Sequence, residues 1–141
     1  MANAKTLGEK DYLALADFRY AIRRFMAFSE TKAGEVGLTP QQHQGLLAIR
    51  AAPAGMATVG YVAERLVLKP HSATGLVDRL EALDLVIRST SAEDRRRALL
   101  TLTDKAEAVL ARLTVAHRDE IKRLGPVLQQ VLDRFGSIAP D

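Results

Sequence analysis

The sequence contains no cysteine, no long apolar run and few aromatic residues, namely 3 Tyr and 4 Phe among 141 residues. The lack of cysteine excludes disulfide bonds, thiolate metal sites and regulation by cysteine oxidation. No apolar stretch approaches the length of a membrane span, and the N-terminal residues lack the apolar core of a signal peptide. We therefore expect a soluble, cytoplasmic protein that has no membrane partner.

The motifs of common enzymes and metal sites are missing as well. The sequence has no Gly-rich phosphate loop, no G-x-S-x-G nucleophile elbow and no H-E-x-x-H zinc motif. His43, His71 and His117 fall in three separate predicted helices, without the spacing of a helical metal pair. Acidic residues are interspersed with Lys and Arg on amphipathic helices, where surface ion pairs account for them. We predict a protein that is not an enzyme and that uses no metal or other cofactor.

The overall composition is that of an ordinary globular protein. Hydrophobic residues make up 48% of the chain and charged residues 26%, which is typical of a soluble domain. The length fits a single domain over residues 1–141 with a core of its own. The net charge of +3 permits a nucleic-acid partner without requiring one.

Both ends of the sequence have the apolar spacing of long amphipathic helices. One is predicted over about residues 9–34, and the other over about residues 104–136, where Gly125-Pro126 is expected to divide it in two. Three of the four Phe residues lie in the first: Phe18, Phe25 and Phe28. A single chain cannot easily cover both apolar faces, so we expect the terminal helices to pair in a homodimer.

Three shorter helices are predicted between these ends. Thr39-Pro40-Gln41-Gln42 offers an N-cap Thr, Pro at the first helical position and a Gln that completes a capping box. Thr58 is expected to cap the next helix, whose apolar positions are Val59, Val62, Ala63 and Leu66. Pro70 suits the first turn of a third helix, with apolar positions Ala73, Leu76, Val77, Leu80 and Leu83. Two short helices joined by a tight turn are typical of the helix-turn-helix, whose second helix enters the DNA major groove.

The spacing then changes to that of strands. Leu85–Thr90 is rich in β-branched residues, and Arg97–Leu102 alternates, with Ala98, Leu100 and Leu102 on one face. The six-residue segment from Ser91 to Arg96 is too polar to be buried and too long for a two-residue hairpin turn. These features predict a β-ribbon with a basic tip, which is a wing.

At these residues the sequence resembles the MarR-type winged-helix transcriptional regulators. The matching segments are Val77-Asp78-Arg79-Leu80-Glu81, Leu85-Val86, Asp94-Arg95-Arg96 and Leu102-Thr103. The sequence departs from the family pattern at Asp84 and Ala106, where Gly is common, and at Gly75, where a larger residue is usual.

The resemblance implies a mainly α fold with a small β-wing and about six helices. Residues 39–103 would be the winged helix-turn-helix, and about residues 9–34 and 104–136 the dimerisation helices. It also implies a sequence-specific repressor that binds a pseudo-palindromic operator in double-stranded DNA as a homodimer. A small aromatic or anionic effector would release the DNA.

Candidate DNA contacts lie on the recognition helix and on the wing. The exposed face of the recognition helix carries His71, Ser72, Thr74, Gly75 and Arg79, whose polar groups suit base edges and phosphates. The alternative is an ordinary solvated face.

The wing carries Arg95, Arg96 and Arg97. By resemblance, Arg96 would enter the minor groove, which favours arginine where it is narrow, and Asp94 would brace the wing by pairing with Arg79. Phosphate contacts are expected from Arg79, Arg88, Arg95 and Arg97.

The resemblance also places a small-molecule cleft beside the dimerisation region. Its expected lining residues are Phe25, Phe28, His43 and Leu47, although helix packing would explain His43 equally. Two other functions stay open at this point. One is a helical protein–protein interaction module whose wing is a plain surface hairpin, and the other is a ligand-binding protein without DNA activity.

Overall fold

The computed structural model describes residues 6–91, 93–94 and 96–135, which form five helices and one two-stranded sheet. This confirms the predicted mainly helical fold with a small wing. The elements are α1 (Glu9–Glu35), α2 (Pro40–Ala51), α3 (Val59–Leu66), α4 (Pro70–Ala82), β1 (Val86–Thr90), β2 (Ala98–Leu102) and α5 (Asp104–Phe135).

The chain divides into two compact units. The winged unit comprises Glu30–Val115, and the terminal unit comprises the described residues among 1–29 and 116–141. Both long helices cross the division, since α1 and α5 each contribute to both units.

The predicted helix starts are confirmed in the winged unit. Thr39 Oγ accepts the N–H of Gln42 at 3.1 Å, and the Gln42 side chain accepts the N–H of Thr39 at 3.0 Å. This is a reciprocal capping box in front of Pro40. Thr58 Oγ likewise accepts the N–H of Tyr61 at 3.1 Å, so hydroxyl groups fix the first residues of α2 and α3.

The turn between α3 and α4 contains an unusual backbone conformation. Val67, the C-cap of α3, has φ 53° and ψ 48°, which is the left-handed region. The N–H of Leu68 then returns to the carbonyl of Ala63 at 2.8 Å. A β-branched residue is an outlier in this region, and the Val67 side chain is 91% exposed.

Asp84, between α4 and β1, is the second non-glycine residue with a positive φ, at 59°. Its conformation explains why glycine is common there in the family, and Asp tolerates the left-handed region better than most residues. The Asp84 carbonyl accepts the hydroxyl of Thr103 at 2.8 Å, and Lys105 Nζ donates to the Leu83 carbonyl at 2.9 Å. These bonds tie the end of the recognition helix to the start of α5.

The wing is an antiparallel ribbon in which Val86 pairs with Leu102 and Thr90 pairs with Ala98. Leu100 and Leu102 are buried, as the predicted alternation requires, whereas Ala98 is exposed because it lies near the tip. The N–H of Leu100 also donates to the carbonyl of Ala57 at 2.8 Å, which joins the ribbon to the loop before α3.

The core of the winged unit holds the recognition helix in place. Its largest fully buried side chains come from α2, α3 and α4: Leu46, Val62, Leu76, Val77 and Leu80. A β-carbon at Gly45 would approach the side chains of Leu76 and Leu80 to 3.3 Å, so Gly45 allows α2 and α4 to pack closely.

The prediction that Gly125-Pro126 divides the last helix is wrong. Helix α5 is continuous over 32 residues with Pro126 inside it, so the described residues contain five helices and not about six. Proline removes one backbone hydrogen bond from a helix interior. The apolar positions nevertheless continue past Pro126, and Leu124 and Val127 both line a cavity with residues of α1. Leu124 and Val127 are half-buried on this face, whereas Pro126 is exposed.

In the terminal unit, α1 and α5 are joined by a few specific contacts. His117 is buried, its Nε2 lies 2.8 Å from Ser29 Oγ, and its ring meets Phe25 and Phe28 edge-on at 5.7 and 5.4 Å. Near the N-terminal end of α1 and the C-terminal end of α5, Arg134 Nε donates to Asp11 Oδ1 at 2.7 Å.

Candidate nucleic-acid interface

The outer face of α4 is exposed and polar, as predicted. His71, Ser72, Thr74 and Arg79 are exposed, whereas Ala73, Leu76, Val77 and Leu80 are buried against the core. The Thr74 hydroxyl donates to the carbonyl of Pro70 at 3.1 Å, so only its acceptor capacity and its methyl group face outward. At the N-cap, Lys69 makes no side-chain cap hydrogen bond. The first-turn N–H groups thus lack that partner, which suits anion binding at a helix N-terminus.

Gly75 provides room for Arg79. A β-carbon at position 75 would lie 3.7 Å from Arg79 Nη1, so the guanidinium group reaches back along the helix across the glycine. A larger residue at this position would cover the surface that Arg79 crosses. Gly75 therefore changes which groups the recognition helix presents, and Arg79 becomes the main cation on its outer face.

Among its described residues, the tip of the wing has a set of hydrogen bonds centred on Asp94. Its Oδ1 accepts the N–H of Arg96 at 3.0 Å, and its carbonyl accepts the N–H of Arg97 at 3.0 Å. Ser91 Oγ accepts the N–H groups of Glu93 and Asp94 at 3.3 and 3.4 Å. These bonds hold the turn from inside while the side chain of Arg96 stays 96% exposed.

The other two arginines of the wing are Arg95 and Arg97. Arg97 is exposed, and Arg95 lies outside the described residues.

The structure places Asp94 differently from the predicted brace. Its carboxylate lies 3.8 Å from Arg96 Nε, and the described residues show no ion pair between Asp94 and Arg79. Instead, Arg88 of β1 joins the wing to the recognition helix. Arg88 Nη2 donates to Asp78 Oδ1 at 2.8 Å, and Arg88 Nη1 donates to Glu81 Oε1 at 2.9 Å.

Asp78 is thus paired with an arginine of the wing, and the prediction that Arg88 serves phosphates does not fit its contacts. Only 27% of the Arg88 side chain is exposed. The hydrogen bond with Asp78, aided by the charge of Glu81, raises the pKa of the Arg88 guanidinium above its ordinary value. The sequence places Asp78 and Glu81 three residues apart on one side of the helix, but it does not show which residue of the next strand lies beside them.

The four residues predicted to line an effector cleft have different surroundings. Phe25 and Phe28 pack against His117 in the terminal unit, whereas His43 is buried in α2 of the winged unit. Leu47 is 44% exposed and lines a cavity of about 470 Å³ between α2 and α5. The other residues of that cavity are Arg50, Ala51, Glu107, Leu110, Ala111 and Thr114.

Comparisons with known proteins define the class of this fold. A sequence model described as the MarR family matches residues 36–97. The winged helix-turn-helix architecture is also that of the transcriptional repressor CouR, whose structure was solved with a 23-mer DNA duplex. CouR is 30% identical, the similarity covers 87% of this chain and 89% of CouR, and the TM-score is 0.66. The chain belongs to the MarR family.

Other relatives cover shorter stretches or are more distant. The transcriptional repressor MdtR of Bacillus subtilis is 39% identical over 79 residues, 53% of this chain and 50% of MdtR. The regulator MgrA of Staphylococcus aureus is 31% identical over 84 residues, 52% of this chain and 57% of MgrA. The chain thus spans about half the length of the curated relatives that it matches. The DNA complex of S. aureus MepR shares the fold, with a TM-score of 0.67 and 21% identity over 85% of this chain and 84% of MepR.

Family membership supports the prediction that the protein is not an enzyme. Within the described helices, none combines the length and the apolar character that a membrane span requires.

Proposed function

We propose that the protein is a sequence-specific regulator of transcription that binds double-stranded operator DNA and acts as a repressor. The observation that carries the proposal is the pairing of an exposed polar recognition helix with an ordered wing whose Arg96 extends into solvent. MdtR and CouR, which are named as repressors, and the DNA duplex bound to CouR support the same function.

In this proposal each element reads a different part of the duplex. The start of α4 enters the major groove, where His71, Ser72 and Thr74 meet base edges or nearby phosphates. Arg96 enters the adjacent minor groove, because a narrow A·T-rich groove has an enhanced negative potential. Arg79, Arg95 and Arg97 serve phosphates, so affinity falls with salt by a log–log slope of about 0.9 for each contact.

The proposed regulator acts as a homodimer. Large apolar side chains of the terminal unit are exposed in the single chain: Leu13, Leu15, Ile22, Met26, Ile121 and Leu132. A second copy would cover them in an isologous pairing of the terminal helices. Two recognition helices then reach successive major grooves, which predicts half-sites about 10 bp apart in a pseudo-palindrome.

An effector would bind in the cavity between α2 and α5. Its volume of about 470 Å³ falls within the range of about 300–1,000 Å³ that is usual for ligand sites. Leu47, Leu110 and Ala111 offer apolar surface, and Arg50 at its edge is held by Glu107 at 2.9 Å. A small aromatic anion fits this chemistry, because its carboxylate can replace Glu107 on the guanidinium. Operator affinity measured with a panel of phenolic acids tests this part of the proposal.

Arg96→Ala and Asp94→Ala test the DNA-reading role of the wing. Arg96→Ala should weaken operator binding by about 1–3 kcal/mol, with dimerisation and the unfolding midpoint unchanged, since Arg96 is almost fully exposed. Asp94→Ala should also weaken binding, because the turn that directs Arg96 loses its acceptor. If attraction to phosphate alone decided the affinity, Asp94→Ala would bind DNA more tightly, because it removes a negative charge.

The measurement is fluorescence anisotropy with a palindromic duplex from the gene's own upstream region, at one salt concentration, beside a shuffled duplex. Equal affinity of the wild-type protein for both duplexes would contradict sequence-specific regulation. Tighter binding by Asp94→Ala would reduce the wing to a basic patch without fixed geometry.

A further inference from the structure

The clearest connection between wing and recognition helix is a three-residue ionic cluster. Arg88 points from β1 towards α4 and gives one terminal nitrogen to Asp78 and the other to Glu81, at 2.8 and 2.9 Å. We call these three residues the Arg88 clamp. Each carboxylate receives its own N–H group, and a lysine, with one compact ammonium group, cannot reproduce this forked geometry.

At the level of Arg88 the wing is anchored on β2 by Leu100, which is buried and donates its N–H to the carbonyl of Ala57, and on β1 by Arg88 itself. Leu85 and Val86 at the base of β1 are buried, but beyond them Ile87, Ser89 and Thr90 are exposed. Arg88 alone among Ile87–Thr90 is less exposed, and it lies opposite Leu100 in the ribbon. The clamp therefore holds β1 against α4 beyond the buried base of the strand.

We propose that Arg88 is a positioning residue, which sets the angle between the wing and the recognition helix and makes no phosphate contact of its own. The proposal rests on the proposed DNA-binding function and assigns a specific role within it. In the clamp, the two carboxylates on α4 act as anchors for Arg88. Without Arg88 they would leave two unbalanced negative charges beside the DNA-facing surface.

Three variants separate positioning from simple charge. Arg88→Lys keeps the positive charge but loses the fork, so it should weaken operator binding about tenfold or more while leaving binding to a shuffled duplex unchanged. Arg88→Met should have at least the same effect on the operator. Asp78→Asn combined with Glu81→Gln removes two negative charges near DNA, and yet it should also weaken operator binding.

The salt dependence gives a second readout. If Arg88 only positions the wing, Arg88→Met leaves the log–log slope of operator affinity against salt unchanged when it is made in a protein whose wing contacts are already removed by Arg95→Ala, Arg96→Ala and Arg97→Ala. A phosphate contact would reduce the slope by about 0.9. Arg112→Lys and Arg112→Met are the matched controls, because Arg112 is exposed on α5 and has no ion pair among the described residues. Both should bind like the wild-type protein.

Hydrogen exchange without DNA tests the clamp independently of the proposed function. In Arg88→Met, the amides of β1 and β2 should exchange faster than in the wild-type protein, whereas the amides of α2 and α3 should not change. Unchanged exchange in the ribbon, or full operator affinity in Arg88→Lys, would overturn the positioning role. Failure of the wild-type protein to prefer its operator would instead contradict the proposed function.

Discussion

The winged unit and the terminal unit differ most in where their apolar side chains lie. Of the 18 buried apolar residues in the described part of the chain, 17 belong to the winged unit, and Ala21 alone belongs to the terminal unit. Ten of the 16 exposed large hydrophobic residues lie in the terminal unit, although it is the smaller of the two. The winged unit therefore has a core of its own, whereas the terminal unit leaves most of its large apolar side chains exposed in the single chain.

The two units also differ in how their helices begin and end. Helices α2 and α3 begin at hydroxyl caps, and α4 begins at Pro70 and ends in backbone bonds that lead into β1. The terminal unit consists of parts of two long helices, joined by the Ser29–His117 bond and the Arg134–Asp11 pair. Gly8 and Arg134 together hold the pKa of the Asp11 carboxyl below its ordinary value. Specific capping thus characterises the helices of the winged unit, and uninterrupted helix characterises the terminal unit.

The largest expected effect comes from the core of the winged unit. Leu80→Ala removes a fully buried side chain of the recognition helix, and should lower the free energy of unfolding by about 2–5 kcal/mol. Leu83→Ala is the matched control one turn further on, where the side chain is 42% exposed, and it should cost about 1 kcal/mol or less. Urea denaturation at several protein concentrations measures both. Similar costs for the two variants would contradict the contrast between buried and exposed positions.

The second-largest expected effect is on dimerisation through the terminal unit, and it depends on protein concentration. Met26→Lys combined with Leu132→Lys places charges on two side chains that are 60% and 59% exposed in the single chain. The single chain tolerates such charges, but a dimer interface does not, so light scattering should detect a monomer at micromolar concentration. Loss of the second recognition helix should reduce operator affinity about a hundredfold or more.

Met56→Lys is the control for this variant, because Met56 is 46% exposed in a loop of the winged unit. It should leave the dimer intact. A wild-type protein that is monomeric at micromolar concentration would contradict the proposed dimer before any variant is made.

The elements of the winged unit could be predicted because each has a local chemical cause. Thr39, Thr58 and Pro70 are visible in the sequence, and they start the same helices in the structure. Pro126 does not end α5, because the helix and its apolar face both continue beyond it.

The candidate site was predicted less completely, since ion pairs depend on distances between elements that follow only from the fold. The sequence analysis pairs Asp94 with Arg79 and assigns Arg88 to phosphates, and the structure gives both residues other partners. The brace between wing and helix is Arg88 with Asp78 and Glu81, and Asp94 serves the turn that holds Arg96.

The smallest effect concerns the turn of the helix-turn-helix, where the winged unit departs from its otherwise regular local structure. Val67 lies in the left-handed region with a side chain that is 91% exposed, so it gains no packing in return for a conformation that costs about 1–2 kcal/mol. Val67→Gly relieves this cost, and the greater freedom of glycine in the unfolded chain offsets about 0.4–1 kcal/mol of the gain. We expect a net stabilisation of about 1 kcal/mol, seen as a higher urea midpoint with an unchanged m-value.

Two further variants calibrate this prediction. Val115→Gly, at a half-exposed position inside α5, should lower the midpoint, because glycine is unfavourable within a helix. Asp84→Gly should raise the midpoint less than Val67→Gly, because Asp occupies the left-handed region at lower cost than a β-branched residue. If Val67→Gly lowered the midpoint, the valine would have to be stabilised by contacts that its exposure in the single chain does not reveal.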